Sequence, residues 1–264
     1  GEVLNTDAPK CHALPDWRLL NFRLSGGLYP GRVYVVAARP GGGKTSYMLH
    51  LCWQLASTGA PGVILELENS DADTRDKLYA AAGRVNAMQL HRHEYAGNAD
   101  VSDKLYNIAN VITNSIGIQC GHYSIDEILA LILAYHRQRR IEWYAVDYIQ
   151  FIRKTDKRVN NLESIGNSMA ELMAVSKRHK LTGIVLSQAN RAAEGTKISM
   201  ANMKGSGDIE QGADCIIAIQ QGDEDDAYGV CPVEIDLLKN RFGPVGRVKM
   251  RFHKPSGRFE EAGQ

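Results

Sequence analysis

A chain of 264 residues is long enough for one large domain or two small ones, and 44% hydrophobic residues exclude a disordered or collagen-like polymer. The 31 Lys+Arg set against 30 Asp+Glu leave a net charge of +1, so any basic site for nucleic acid or anionic lipid is local. The longest strongly apolar run, Ile128 to Tyr135, is far shorter than the ~18 residues of a membrane helix, and five cysteines without a CxxC point to neither disulfides nor zinc; a soluble cytoplasmic protein with no membrane partner is expected.

Residues 1–15 read as an N-terminal arm or linker remnant ahead of one domain spanning 16–264. Apolar runs predict strands at 33–38, 63–67, 143–147, 183–187 and 214–219, with a weaker one near 116–119. Segments of helical period fall between them, the pattern of an α/β core in which helices flank a mostly parallel sheet. The first strand runs straight into Arg39-Pro40-Gly41-Gly42-Gly43-Lys44-Thr45-Ser46, and a helical pattern follows through Ala56. Strand, glycine loop and helix in that order make a P-loop, although Ala38 stands where such loops usually open with glycine. The glycines let backbone N–H groups converge on a polyphosphate at a helix N-terminus. Lys44 reaches the β- and γ-oxygens of ATP, and the Thr45 hydroxyl is offered to Mg²⁺.

The second strand is expected beside the P-loop strand and delivers Glu68 as general base, with Glu66 as the alternative on the same face. Ser70 with Asp73 opens a helix. Ser124 with Glu127 forms a capping box for Ile125 to Arg139, and Asn160 with Glu163 opens a helix striped by Ile165, Met169, Leu172 and Met173. Between the last two, Asp147 closes the strand Trp143 to Val146 and is placed to hold Mg²⁺ as a Walker B carboxylate. His91 and His93 lie in a polar stretch without a clustered third ligand, so no metal is expected there. Gln188 follows the strand 183–187, and its amide can sense the γ-phosphate. Beyond residue 230, alternation at Val233, Ile235 and Leu237 and again at Val248, Met250 and Phe252 predicts a hairpin turning at Gly243-Pro244. Its charges are expected to form a ladder in which Asp236 faces Lys249 and Glu234 faces Arg251.

Taken together, Ala37 to Thr45, Leu67-Glu68, Asp147 to Gln150, Leu186 to Arg191, Ser206 to Asp214 and Lys239 to Gly246 resemble the ATPase domain of DnaB-type replicative DNA helicases, members of the RecA-like P-loop group. The resemblance implies Mg-ATP hydrolysis coupled to 5′–3′ translocation on single-stranded DNA and duplex unwinding, in a homo-hexamer that engages a primase and a loader. It implies that Arg241, with Lys239 beside it, completes the ATP site of a neighbouring subunit. It also implies that Lys204, Gly205 and Gly207 contact the strand backbone. Arg153, Lys154, Lys157 and Arg158 form a second candidate channel loop. Two rival readings stay open: a RecA-like recombination ATPase, and a nucleotide-gated DNA-binding or loading module in which hydrolysis is incidental.

Overall fold

A computed structural model describes residues 10–95, 97–155, 158, 160–189, 197–202, 206–222 and 225–263. Its strands are β1 (Val33–Ala38), β2 (Gly62–Glu66), β3 (Ile116–Cys120), β4 (Trp143–Asp147), β5 (Thr182–Gln188), β6 (Cys215–Gln221), β7 (Val230–Asn240), β8 (Gly246–His253) and β9 (Arg258–Glu261). Helices are α1 (Arg18–Arg23), α2 (Lys44–Ser57), α3 (Asp71–Gly83), α4 (Ala87–His91), α5 (Ala99–Ser115), α6 (Ile125–Arg139), α7 (Asn161–His179) and α8 (Ser206–Gly212). The nine strands form one sheet in the order β3-β2-β4-β5-β1-β6-β7-β8-β9. Pairing is parallel from β3 through β6 and antiparallel from β6 through β9.

Burial explains the two kinds of strand sequence. In β1, β2 and β4 every residue is buried, because helices cover both faces, and these strands read as unbroken apolar runs. One face packs Val36, Ile64, Trp143 and Leu186 with residues of α2, α3 and α5; the other packs Val35, Val63, Val146 and Val185 with residues of α6 and α7. The antiparallel extension is covered on one side. Val248, Met250 and Phe252 are buried there, while Arg247, Lys249 and Arg251 alternate with them.

The expected helix starts are made as the side chains dictate. Ser70 accepts from Asp73 N–H, Asn160 accepts from Glu163 N–H, and Ser124 with Glu127 forms the full capping box. Both α6 and α7 end on a cation in the left-handed region, Arg140 and Lys180, each at φ 54°. Residues 10–15 lie against the core: His12 pairs with Leu28 and Leu14 is buried.

Two sequence expectations are corrected. Strand β2 does not lie beside β1; β4 and β5 intervene, and β1 is flanked by β5 and β6. The hairpin register also differs by two residues, with Asp236 opposite Arg247 and Glu234 opposite Lys249. A two-residue slip keeps every side chain on its own face, so alternation alone does not fix it; β7 also bulges against β6, where the pairing shifts between Ile216 and Ile217. The last residues of β7 then pair with β6 alone, beyond the pairing with β8 that ends at Leu237–Gly246. The ladder keeps its charge logic: Arg247 Nε lies 3.1 Å from Asp236 and Lys197 Nζ 2.8 Å from Glu234.

A buried polar network ties the chain ends to α2. His50 is fully buried, donates from Nε2 to Asp16 (3.1 Å) and accepts at Nδ1 from Phe259 N–H (3.1 Å); Arg258 also donates to Asp16 (2.8 Å). Burial, more than the opposing pull of Asp16, holds the His50 ring below its usual pKa. Because the folded value is lowered, the unfolded chain binds more protons as pH falls below the ordinary histidine value of about 6.5. The urea midpoint should therefore drop between about pH 7 and 5.5, and drop less steeply in His50→Gln.

Candidate active site

The strand β1 ends at Ala38, in register with Gln188, and the loop that follows is shaped by glycines. Gly41 and Gly43 have φ of +73° and +78°, and a Cβ at Gly43 would sit 2.8 Å from the Phe252 ring. Gly43 is also the N-cap of α2. It offers no side-chain cap, and the first turn carries no acid. The orphan N–H groups and positive dipole end of this helix are left for an external anion. Around them is a cavity of about 470 Å³ lined by Arg39 through Ser46 together with Glu68, Gln188 and Tyr148.

The charged groups converge on Asp147 at the end of β4. Lys44 Nζ donates to Asp147 Oδ1 (3.0 Å), Thr45 Oγ1 donates to Oδ2 (2.5 Å), and the ammonium sits 4.2 Å from the centre of the Tyr148 ring. Burial raises the Asp147 carboxyl against the pull of Lys44 and Thr45. One lysine, one hydroxyl and one buried carboxylate at a bare helix N-terminus are the donor set that a nucleotide triphosphate and Mg²⁺ require.

Geometry separates the two glutamates that the sequence left open. Glu66, the last residue of β2, has no exposure. Its Oε1 accepts from Glu68 N–H (3.0 Å), Asn69 N–H (2.9 Å) and Asn69 Nδ2 (3.1 Å). Burial, and then the neighbouring Asp147, push its pKa up to about 7. Glu66 thus holds the turn. Glu68 lies beyond the strand, its side chain 43% exposed and 3.4 Å from Lys44 Nζ, on the cavity wall where water has access.

Lys239 and Arg241 are brought together at the other end of the sheet. Lys239 Nζ donates to the carbonyls of Glu210 and Ala213, and Arg241 donates to Gln211 O (2.9 Å) and Asp214 Oδ1 (3.4 Å), at the C-terminus of α8. Asp214 in turn pairs its N–H with Val33 O and takes Val33 N–H on Oδ2. Arg241 is therefore beside the start of β1, and its own P-loop follows the end, a strand length of roughly 20 Å away. Within one chain the two cations cannot reach the cavity.

Gly207 lies in the first turn of α8, where an added Cβ would meet nothing within 4 Å; Lys204 and Gly205 lie outside the described residues, as does Lys157. Arg153, from the second candidate loop, is tied to Glu127 at 2.8 Å. Sequence reasoning missed the supports of the site. Gln150 donates to Ser187 Oγ (2.9 Å) and accepts from Gln188 N–H (3.3 Å), which fixes the strand end beside the loop. Its position three residues past Asp147 was the available signal. Phe252 and Phe259, a cross-strand pair of β8 and β9 stacked at 4.3 Å under Gly43, lie far from the loop in sequence and gave none.

Comparison with known proteins identifies the family and the fold. The family model described as DnaB-like helicase C terminal domain matches residues 17–261. The chain belongs to this family. Among curated relatives, the replicative DNA helicase DnaB of Haemophilus influenzae is 29% identical over 253 residues, 89% of this chain and 52% of that protein. The replicative DNA helicase DnaC of Bacillus subtilis is 27% identical over 249 residues, 90% of this chain and 54% of that protein. The chain spans about half the length of the curated relatives it matches. In solved structures, the ATPase domain of G40P superposes with a TM-score of 0.84 at 22% identity, covering 98% of this chain and 95% of that one. A DnaB-like replicative helicase, described with its interactions with primase, gives 0.84 at 22% over 99% of this chain and 64% of that one. A KaiC-like protein from Pyrococcus horikoshii gives 0.66 at 16%, over 97% of this chain and 99% of that one. Such structural likeness places the DnaB-like domain in the RecA-like fold. Among the described residues, no helix is long and apolar enough to cross a membrane.

Proposed function

We propose that this DnaB-like domain is the ATP-hydrolysing motor of a replicative DNA helicase, translocating on single-stranded DNA and unwinding duplex. The observation that carries the reading is the position of Lys239 and Arg241, a strand length from their own P-loop. A cationic pair so placed can complete a nucleotide site only on another copy, in a head-to-tail arrangement; the homo-hexameric ring is what the family resemblance implies for it. The relatives' name, replicative DNA helicase, supports the same activity.

In this mechanism Arg39 to Ser46 cradle the triphosphate, with Lys44 on its β- and γ-oxygens. Thr45 and Asp147 are the residues that would hold Mg²⁺, which when bound supplies charge neutralisation to the phosphate oxygens. Glu68 orients and deprotonates the attacking water, and Gln188 reports the γ-phosphate to β5 and the loop beyond it. Arg241, with Lys239, stabilises the charge that develops on the neighbour's γ-phosphoryl group. Departure of that group removes the attraction between copies, and the interface shift is delivered to Lys204, Gly205 and Gly207 on the strand backbone. A primase and a loader are the expected partners, and the bacterial cytoplasm is the expected compartment.

Two measurements test this reading. ATP turnover should rise on adding single-stranded DNA, and a forked duplex should be unwound; stimulated turnover with strand pairing in place of unwinding would support the recombination rival. Lys204→Ala should weaken single-strand binding equally for all sequences and lower its salt dependence by about 0.7 in slope. Unchanged binding would remove that residue from the channel.

A further inference from the structure

The edge of the molecule formed by the N-terminal ends of β4 and β5, away from the nucleotide cavity, carries a charge concentration that the proposed motor does not use. Helices α6 and α7 end side by side on it: β4 and β5 begin there in register, Trp143 opposite Thr182, and the rings of His136 and His179 are 5.4 Å apart. Their last turns and caps expose Arg137, Arg139, Arg140, Lys177, Arg178 and Lys180. These six positive charges sit in a chain whose net charge is +1. Among the described residues none of the six has a carboxylate within 4.0 Å; Glu142 at the same edge faces His12 at 3.8 Å.

Helix stability accounts for part of this pattern. Cations in a last turn offset the helix dipole, and Arg137, Arg139, Lys177 and Arg178 already do so. The caps go further. Arg140 and Lys180 occupy left-handed backbone at φ 54°, where glycine closes a helix without strain. Arg84 closes α3 in the same conformation at φ 55°, so the caps alone do not mark this surface; what is particular to it is that two such cationic caps lie side by side with four further cations.

We infer that this edge is a second polyanion site, fitted to the phosphate backbone of a nucleic-acid strand. A protein partner would need an apolar anchor at the centre of its interface. None of the exposed large hydrophobic residues lies in 136–142 or 177–182, and Phe242, at the same end of the sheet, has the Arg32 guanidinium 3.5 Å over its ring. A phosphate backbone needs spaced cations alone, and four of the six are arginines, which bind phosphate in a bidentate way. The surface is distinct from the candidate loop at Arg153, which follows the opposite end of β4, about 16 Å along the strand.

The test uses Arg137→Gln/Arg140→Gly/Lys180→Gly in the whole chain, with anisotropy of a labelled oligothymidylate of about 20 nucleotides between about 50 and 200 mM salt. Affinity at about 0.1 M salt should fall about tenfold or more, and the salt slope should decrease by about 2, at about 0.7 per lost contact. Basal ATP turnover should be unchanged and the urea midpoint unchanged or higher, because glycine suits both caps. If the triple variant unfolds, Arg140→Gly/Lys180→Gly should still lower the slope by about 1.4. The same loss should appear in a Lys204→Ala background, which separates this edge from the channel loop. Unchanged slope and affinity, or a loss absent from that background, overturns the proposal. Displacement of the oligonucleotide by poly-glutamate at equal charge also overturns it, since the surface would then suit an acidic protein.

Discussion

Arg241→Ala is expected to lower ATP turnover of the assembled protein by about 10³- to 10⁵-fold, ~4 to 7 kcal/mol of barrier, while the affinity of each chain for ATP stays close to that of the parent. The reasoning is geometric. Arg241 lies beside Val33 and Asp214, and its own P-loop begins after Ala38, so the side chain can act on a triphosphate only in trans. In the single chain its guanidinium rests on Gln211 O and Asp214, contacts with a neutral carbonyl and with a carboxylate that also serves Val33 N–H. Losing them costs about 1 kcal/mol of stability, too little to explain the expected loss of rate. Arg241→Gln separates the two roles further, since an amide can still donate to Gln211 O but carries no charge to the neighbour. The decisive measurement mixes Arg241→Ala with Lys44→Ala chains, each inactive alone. Interfaces that pair an intact P-loop with an intact arginine should recover turnover in proportion to their statistical share. No recovery in mixed assemblies of verified mass would place Arg241 outside the reaction.

Much of this site was legible because its chemistry is local in sequence. A buried parallel strand, three glycines and an amphipathic helix occupy consecutive residues from 33 to 57, so the anion cradle follows from short-range pattern. Asp147 was legible for the same reason, as the acid that ends an apolar strand. The order of strands was not. The alternation of β and α segments fixes that the sheet is parallel but leaves open which strands are neighbours. Hence β2 was expected next to β1 when β4 and β5 lie between them. The hairpin register escaped because alternation fixes which residues share a face but not how many the connection takes up; the last β7–β8 pair is Leu237–Gly246, two residues from the expected register and on the same faces. The small C-terminal strand β9 and the stack of Phe252 on its cross-strand partner Phe259 are local to one short hairpin; what the pattern hid is that this pair packs under Gly43.

The two glutamates can be told apart by a pair of amide substitutions. Glu68→Gln should lower ATP turnover by about 10²- to 10⁴-fold, the range for removing a general base, with nucleotide binding retained, because the residue is on the cavity wall and only 3.4 Å from Lys44. Glu66→Gln should lower turnover by less than about tenfold, since the amide oxygen can still accept from Glu68 N–H and Asn69 and keep the turn in place. Its effect falls on stability. With the Glu66 pKa raised from 4.5 to about 7, the folded chain holds a proton that the unfolded chain releases between those values. Stability is therefore lost as pH rises through that window and stays low above it, by at most about 3 kcal/mol. Glu66→Gln removes this penalty, so its urea midpoint should exceed the parent's at about pH 8 and converge with it near pH 4.5. A large loss of turnover in Glu66→Gln, with Glu68→Gln nearly normal, would exchange the assignments. The buried carboxylate, half protonated near neutrality beside Asp147, would then have to be the base, and the exposed one a solvated turn residue.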